Sequence, residues 1–113
     1  MAPTRTGDFK PETYKRLIKL TKSRFDSIKA CIEELQTHQE TITRVQRKTL
    51  KGYENEINGK HEEFIQMFTR ATSYHEEDAI SEEVLAEDQD NINNSYIYLT
   101  SIVEDLLGEN END

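Results

Sequence analysis

Nine positions between Tyr14 and Ile42 alternate in steps of four and three: Tyr14, Ile18, Thr21, Phe25, Ile28, Ile32, Leu35, Gln39 and Ile42. Seven of them are apolar, and the residues between are mostly Lys, Arg, Glu, Asp, Thr and Ser. A step averaging about 3.5 residues lines all nine along one stripe of a helix, as in a coiled-coil seam. A stripe that narrow is buried only against other helices. A second seam runs Leu50, Tyr53, Ile57, Lys60, Phe64, Met67, Ala71, Tyr74. A third runs Leu85, Asp88, Ile92, Ser95, Leu99, Ile102, Leu106, widened by Val84, Tyr96 and Val103.

Punctuation residues set the expected boundaries. Residues 1–10 read as a flexible leader, ending in a helix start at Phe9-Lys10-Pro11. Pro suits the first helical position, and Phe9 and Tyr14 are spaced for a hydrophobic staple. Helix 1 is expected at about 11–37. Joining the first seam to the second takes two consecutive steps of four (Ile42, Gln46, Leu50), which a continuous helix registers as a stutter. A continuous helix and a hairpin near 37–43 both fit, and the phase slip favours the hairpin, with Thr41 or Thr43 as cap. Helix 2, about 43–72, contains Gly52 and Gly59. Each costs about 1 kcal/mol relative to Ala, so close helix approach or mild bending is expected there. Ser73-Tyr74-His75-Glu76 has capping-box form, with Asp78 and Ser81 as alternative caps. Helix 3 is expected at about 76–107, with a weakly apolar, acidic first part that frays or needs a partner. Gly108 is a natural stop, leaving 108–113 as an acidic disordered tail. The expectation is all-α: an antiparallel three-helix coiled-coil-like bundle over 11–107.

Composition narrows the picture. At 113 residues the chain holds one domain. Its 34% hydrophobic and 33% charged residues suit long helices with thin seams. They also bring it near chains that stay disordered, so self-association is an expected source of stability. No run of about 18 apolar residues occurs, and the opening MAPTRTGDFK lacks an apolar signal core. The single cysteine, Cys31, forms no internal disulfide, which points to a reducing, intracellular and cytoplasmic setting.

The net charge of −9 conceals an asymmetry. Residues 1–51 carry 12 Lys+Arg against 6 Asp+Glu, and residues 52–113 carry 2 against 17. One interpretation is a basic helix packed beside an acidic one in the same bundle. The other is a basic face of Lys15, Arg16, Lys19, Lys22, Arg24 and Lys29 that binds RNA or an anionic membrane. The basic stretch has no interleaved Trp or Tyr beyond Tyr14 and no Gly-rich loop, which ranks it second.

Catalytic and metal chemistry finds little support. His38, His61, His75 and Cys31 form no Cys-x-x-Cys, His-x-x-x-His or His-Glu-x-x-His spacing, so no metal or cofactor is expected. Cys31 precedes the seam residue Ile32 and reads as a small, partly buried hydrophobe. The carboxylate runs read as solvated faces and first-turn acids. No phosphate loop, nucleophile elbow or aspartic-protease triplet occurs, so no enzyme and no small-molecule substrate are expected. Asp88, Asn91, Asn93, Asn94 and Ser95 surround Ile92 with polarity, either to fix register or because helix 3 is half-buried there. Tyr96, Ile97, Tyr98 and Leu99 put apolar or aromatic groups all round one turn, more than a bundle can bury, which hints at an intermolecular contact.

Three stretches carry a family resemblance. They are Tyr14-Lys15-Arg16-Leu17-Ile18-Lys19-Leu20-Thr21-Lys22-Ser23-Arg24-Phe25, Leu50-Lys51-Gly52-Tyr53-Glu54-Asn55-Glu56-Ile57, and Tyr96-Ile97-Tyr98-Leu99 leading to Leu106-Leu107. Over about residues 12–107 the chain resembles the N-terminal region of Gag polyproteins from BEL/Pao-type LTR retrotransposons of animals. The resemblance implies a segment preceding the capsid domain of a structural polyprotein, or a domesticated derivative, that self-associates during particle assembly. It implies nothing about packaging or proteolysis, whose domains have no counterpart in these residues.

The expected function is a non-enzymatic helical assembly module that forms a homo-oligomer or takes a helical protein partner through helices 2 and 3. Phe64, Phe68, Tyr96, Tyr98 and Ile102 are the candidates for core or interface packing. A basic-face adaptor for RNA or membrane, or a bundle holding a partner's helix in a groove, are the rival expectations.

Overall fold

The computed structural model describes residues 9–38 and 42–111. Among them are three helices and no strand: α1 (Pro11–His38), α2 (Arg44–Ser73) and α3 (Glu82–Glu111). Each helix packs on both others, making an all-α three-helix bundle. Paired residues give the direction. Arg24 meets Glu56, and Phe9 meets Tyr74, so α2 runs against α1. Arg47 meets Leu107, and His61 meets Asn93, so α3 runs against α2 and alongside α1. The described bundle extends 55 × 29 × 17 Å.

The three seams form its interior. Tyr14, Ile18, Thr21, Phe25, Ile28 and Ile32 of α1 are buried against Leu50, Ile57, Phe64 and Ala71 of α2. Leu85, Ile92, Leu99, Ile102, Val103, Leu106 and Leu107 of α3 close the core. Leu35, Tyr53 and Met67 pack at its margin. Gln39 lies outside the described residues.

The ends follow capping chemistry. Phe9 is buried, its ring 6.5 Å from that of Tyr14 and 4.9 Å from that of Tyr74, so the staple forms and ties the start of α1 to the end of α2. The rest of the expected leader, residues 1–8, lies outside the described residues. Helix α1 ends at His38, and α2 starts anew at Thr43, so the phase slip is resolved by a break. Thr43 Oγ1 accepts from the Gln46 N–H at 3.1 Å, and Gln46 Oε1 accepts from the Thr43 N–H at 2.9 Å, a complete capping box.

Several expectations are corrected. Helix α3 begins at Glu82 rather than near 76, because Ser81 Oγ accepts the Val84 N–H at 3.2 Å while the Ser73–Glu76 box does not form. Residues 74–81 are instead a pinned turn. Tyr74 and Ile80 are buried, and the Tyr74 hydroxyl donates to Asp78 Oδ1 at 2.6 Å. Gly108 does not stop α3, which continues to Glu111. Among the described residues no glycine adopts a positive φ, so the left-handed conformation of a glycine stop is absent there. Nor do Gly52 and Gly59 mark close helix approach, since a Cβ at either would meet nothing within 4 Å. Val84 stays exposed instead of widening the third seam.

Candidate functional site

Polar joints tie the helices in register. Tyr14 is fully buried, and its hydroxyl donates to Asp88 Oδ2 at 3.0 Å. Lys22 Nζ lies 3.5 Å from the other oxygen of that carboxylate. Burial, then the Asp88 charge and hydrogen bond, push the Tyr14 phenol well above its ordinary value. On the other side of α3, His61 stacks on Tyr96 with ring centroids 3.9 Å apart and planes 12° from parallel. His61 Nε2 faces Asn93 Oδ1 at 2.8 Å, so that nitrogen is the donor, and the Tyr96 hydroxyl donates to Asn58 Oδ1 at 2.8 Å. Arg24 forks onto Glu56 at 2.5 and 2.9 Å and holds its carboxyl below the usual range. Finally, Arg47 Nη1 donates to the Leu107 carbonyl at 3.4 Å, near the end of α3. The polarity around Ile92 therefore divides. Asp88 and Asn93 bind neighbouring helices, whereas Asn91 and Asn94 are exposed.

The six basic-face candidates also divide. Lys22 goes to Asp88, Arg24 goes to Glu56, and Lys29 Nζ lies 5.4 Å above the Tyr98 ring. Lys15, Arg16 and Lys19 are exposed, with no ion pair among the described residues. The unengaged basic face is thus half the size the sequence offers.

The packing candidates separate by burial. Phe64 and Ile102 belong to the core, while Phe68 and Tyr96 are half-buried against it between α2 and α3. Tyr98 is 43% exposed, and its hydroxyl donates to Glu33, which raises the phenol's pKa. Beside it Ile97 is 59% exposed. These two side chains stand in a window, residues 91–103, that contains no Asp, Glu, Lys, Arg or His. In a chain with 33% charged residues such a gap is conspicuous, and on a helix it leaves the outward side uncharged as well as the inward one.

A hollow of about 240 Å³ lies beside this window between α1 and α3, walled by Asp26, Lys29, Asn94, Ser95 and Tyr98 over Phe25 and Leu99. It offers hydrogen bonds and opposed charges but no nucleophile–base pair. Cys31 is exposed, not partly buried, because one residue before Ile32 turns it about 100° off the seam. Its sulfur, set to accept from the Tyr53 hydroxyl, is the largest cause of that phenol's raised pKa. Among the described residues no three His, Cys, Asp or Glu side chains gather where they could hold a metal ion. No helix there is long and apolar enough to cross a membrane. No known protein family, curated protein or solved structure matches the chain.

Sequence reasoning found the aromatic turn at 96–99 but passed over the uncharged window around it. A count of consecutive positions without charge would have revealed it. Leu20, 57% exposed on α1, was also missed, because it lies outside any seam.

Proposed function

We propose that this chain is a non-enzymatic assembly module of a reducing, cytoplasmic setting, whose bundles self-associate through the outward face of α3. The observation that carries this reading is the uncharged window 91–103 with Ile97 and Tyr98 exposed in it. Interface centres are depleted of charged residues and enriched in tyrosine, and exposed apolar side chains grouped together mark contact surfaces. The resemblance to the pre-capsid region of BEL/Pao-type Gag polyproteins implies the same activity, and that origin is part of the proposal. Light scattering across concentration tests it: the mass rises above that of a monomer as the solution reaches high micromolar. A compact monomer throughout overturns it. A monomer that captures one specific helical protein would assign the face to a foreign partner instead.

A second reading draws on Lys15, Arg16 and Lys19, exposed and without ion pairs among the described residues. It has the basic face bind RNA or an anionic membrane. Retention on heparin at low salt, lost in the Lys15→Glu/Arg16→Glu/Lys19→Glu variant, supports it. No retention at low salt removes it.

A further inference from the structure

The self-association proposed above leaves open what the outward face of α3 packs against. We infer that it packs against the outward face of α1 on a second copy, so that each copy uses two different surfaces. The inference rests on self-association, and on the charges that frame the two faces.

Asp90, Ile97 and Glu104 follow one another at seven-residue intervals on α3. Two helical turns separate each pair, so an exposed carboxylate stands about 10 Å along the axis on either side of Ile97. A two-fold contact of α3 on α3, centred on Ile97, sets Asp90 of one copy opposite Glu104 of the other at both ends. A parallel contact sets each acid against its own twin. Either way like charges meet at the rim, which is unfavourable. The α3 face therefore fits a surface with an apolar centre and a cationic border.

The outward face of α1 has that form over its N-terminal part, before the stripe reaches the exposed Glu34. Leu20 is 57% exposed, with Lys19 beside it and Arg16 one turn earlier. Neither cation has an ion pair among the described residues, so both are available. The same face continues through exposed Ser23, Ser27 and Ala30, giving an uncharged length comparable with the window on α3. Leu20 thus lies against Ile97 and Tyr98, with Arg16 and Lys19 reaching one of the flanking acids. Arg24 takes no part, being held by Glu56. Val45, 72% exposed beside Arg44 and Lys48, is the other apolar residue with cations around it. Beyond it the same face of α2 runs through Thr49, Gly52 and Glu56, bringing a bare glycine and an acid where α1 brings Ser23, Ser27 and Ala30. A contact between two unlike faces does not exhaust itself in a dimer. It builds a closed ring or an open chain.

Complementation between two broken copies tests this. Ile97→Glu spoils the α3 face and keeps the α1 face, and Leu20→Glu does the reverse. Both side chains are exposed, so each variant is expected to keep the helicity of the parent. Alone, each is a monomer at concentrations where the parent forms species larger than a dimer. Mixed in equal amounts they form a 1:1 pair and nothing larger, about tenfold weaker in 0.5 M NaCl than in 0.05 M. Val45→Glu leaves assembly unchanged. If either variant folds poorly, an Asp90→Lys/Glu104→Lys copy and an Arg16→Glu/Lys19→Glu copy replace the pair, each monomeric alone and, since both contacts are then complementary between unlike copies, alternating in species larger than a dimer when mixed. A parent that associates while its mixed variants stay monomeric overturns the assignment to α1 and spares the self-association. Loss of assembly in Val45→Glu also overturns it. A parent that is monomeric throughout removes both.

Discussion

Leu99 and Ile97 stand two residues apart on α3 and differ by little more than the placement of one methyl group. Leu99 is 1% exposed and Ile97 59%. On α1 the corresponding contrast is sharper in chemistry: Ile18 and Phe25 face in, while Arg16, Lys19 and Ser23 face out around the single exception, Leu20. The two helices both bury their seams, and Tyr98 is held to α1 by Glu33 and Lys29, so fold stability leaves unexplained why α3 keeps the aliphatic Ile97 in water. A position that stability leaves free, occupied against solvent preference, is where a second surface shows itself.

Substitution on the inward side should have the largest effect. Leu99→Ala removes a buried side chain where neighbours from two helices meet, and is expected to cost about 2–5 kcal/mol by denaturant unfolding. A loss under about 1 kcal/mol would mean that the inner face of α3 is no better packed than the outer. Tyr14→Phe probes the polar joint on the same side. It leaves Asp88 with Lys22 alone and should cost about 1–2 kcal/mol, more than a surface change and less than a cavity.

Phenol titration draws the same line by pH. Tyr14 and Tyr74 have folded-state pKa values raised from 10, Tyr74 to about 12, where the hydrogen bond to Asp78 is the largest cause. Above pH 10 the unfolded chain releases these protons while the folded chain keeps them. The folded state then binds more protons, so stability present below pH 10 is lost as pH rises. For Tyr74 the loss runs from about pH 10 to about 12. Unfolding free energies across that range should fall, and fall less steeply in Tyr14→Phe/Tyr74→Phe. An unchanged slope would show that neither phenol is held as the geometry indicates.

Glycine gives a smaller effect of opposite sign. Gly59 lies in the interior of α2 with open space where a Cβ would stand, so Gly59→Ala should stabilise by about 1 kcal/mol, seen as a higher Tm. No gain would mean that the position needs its freedom in the assembled state.

How much of this was legible in the sequence depended on which force governs each position. Seam residues from Tyr14 to Ile32, from Leu50 to Ala71 and from Leu85 to Leu106 were readable because burial imposes a period, and a period survives without knowledge of the partner helix. The Thr43 capping box was readable for a local reason, its two hydrogen bonds spanning three residues. The start of α3 was not, because Ser73 and Ser81 offer caps of similar quality. The choice fell to tertiary burial of Tyr74 and Ile80 on the core beside Phe9. Nor could pattern alone divide the cations. Lys22 and Arg24 are engaged only because Asp88 and Glu56 arrive from other helices. The candidate site was half visible, as an excess of apolar residues at 96–99. Which of them faced water required the bundle.

Ile97→Asn is expected to disturb the fold least and to separate the two faces of α3 most cleanly. The side chain is 59% exposed, so its removal leaves no cavity, and asparagine costs a helix roughly half a kcal/mol more than alanine. Measured at low micromolar concentration, unfolding should therefore shift by under about 1 kcal/mol, against about 2–5 for Leu99→Ala. Asparagine adds no charge, so a weakened assembly at high concentration reports lost apolar contact rather than repulsion. Scattering mass and unfolding midpoint, followed on one variant across one concentration series, should then part company. The mass falls while the midpoint at low concentration holds. Should the midpoint fall instead and the mass hold, Ile97 would be serving the core, and the outward face of α3 would be ordinary surface.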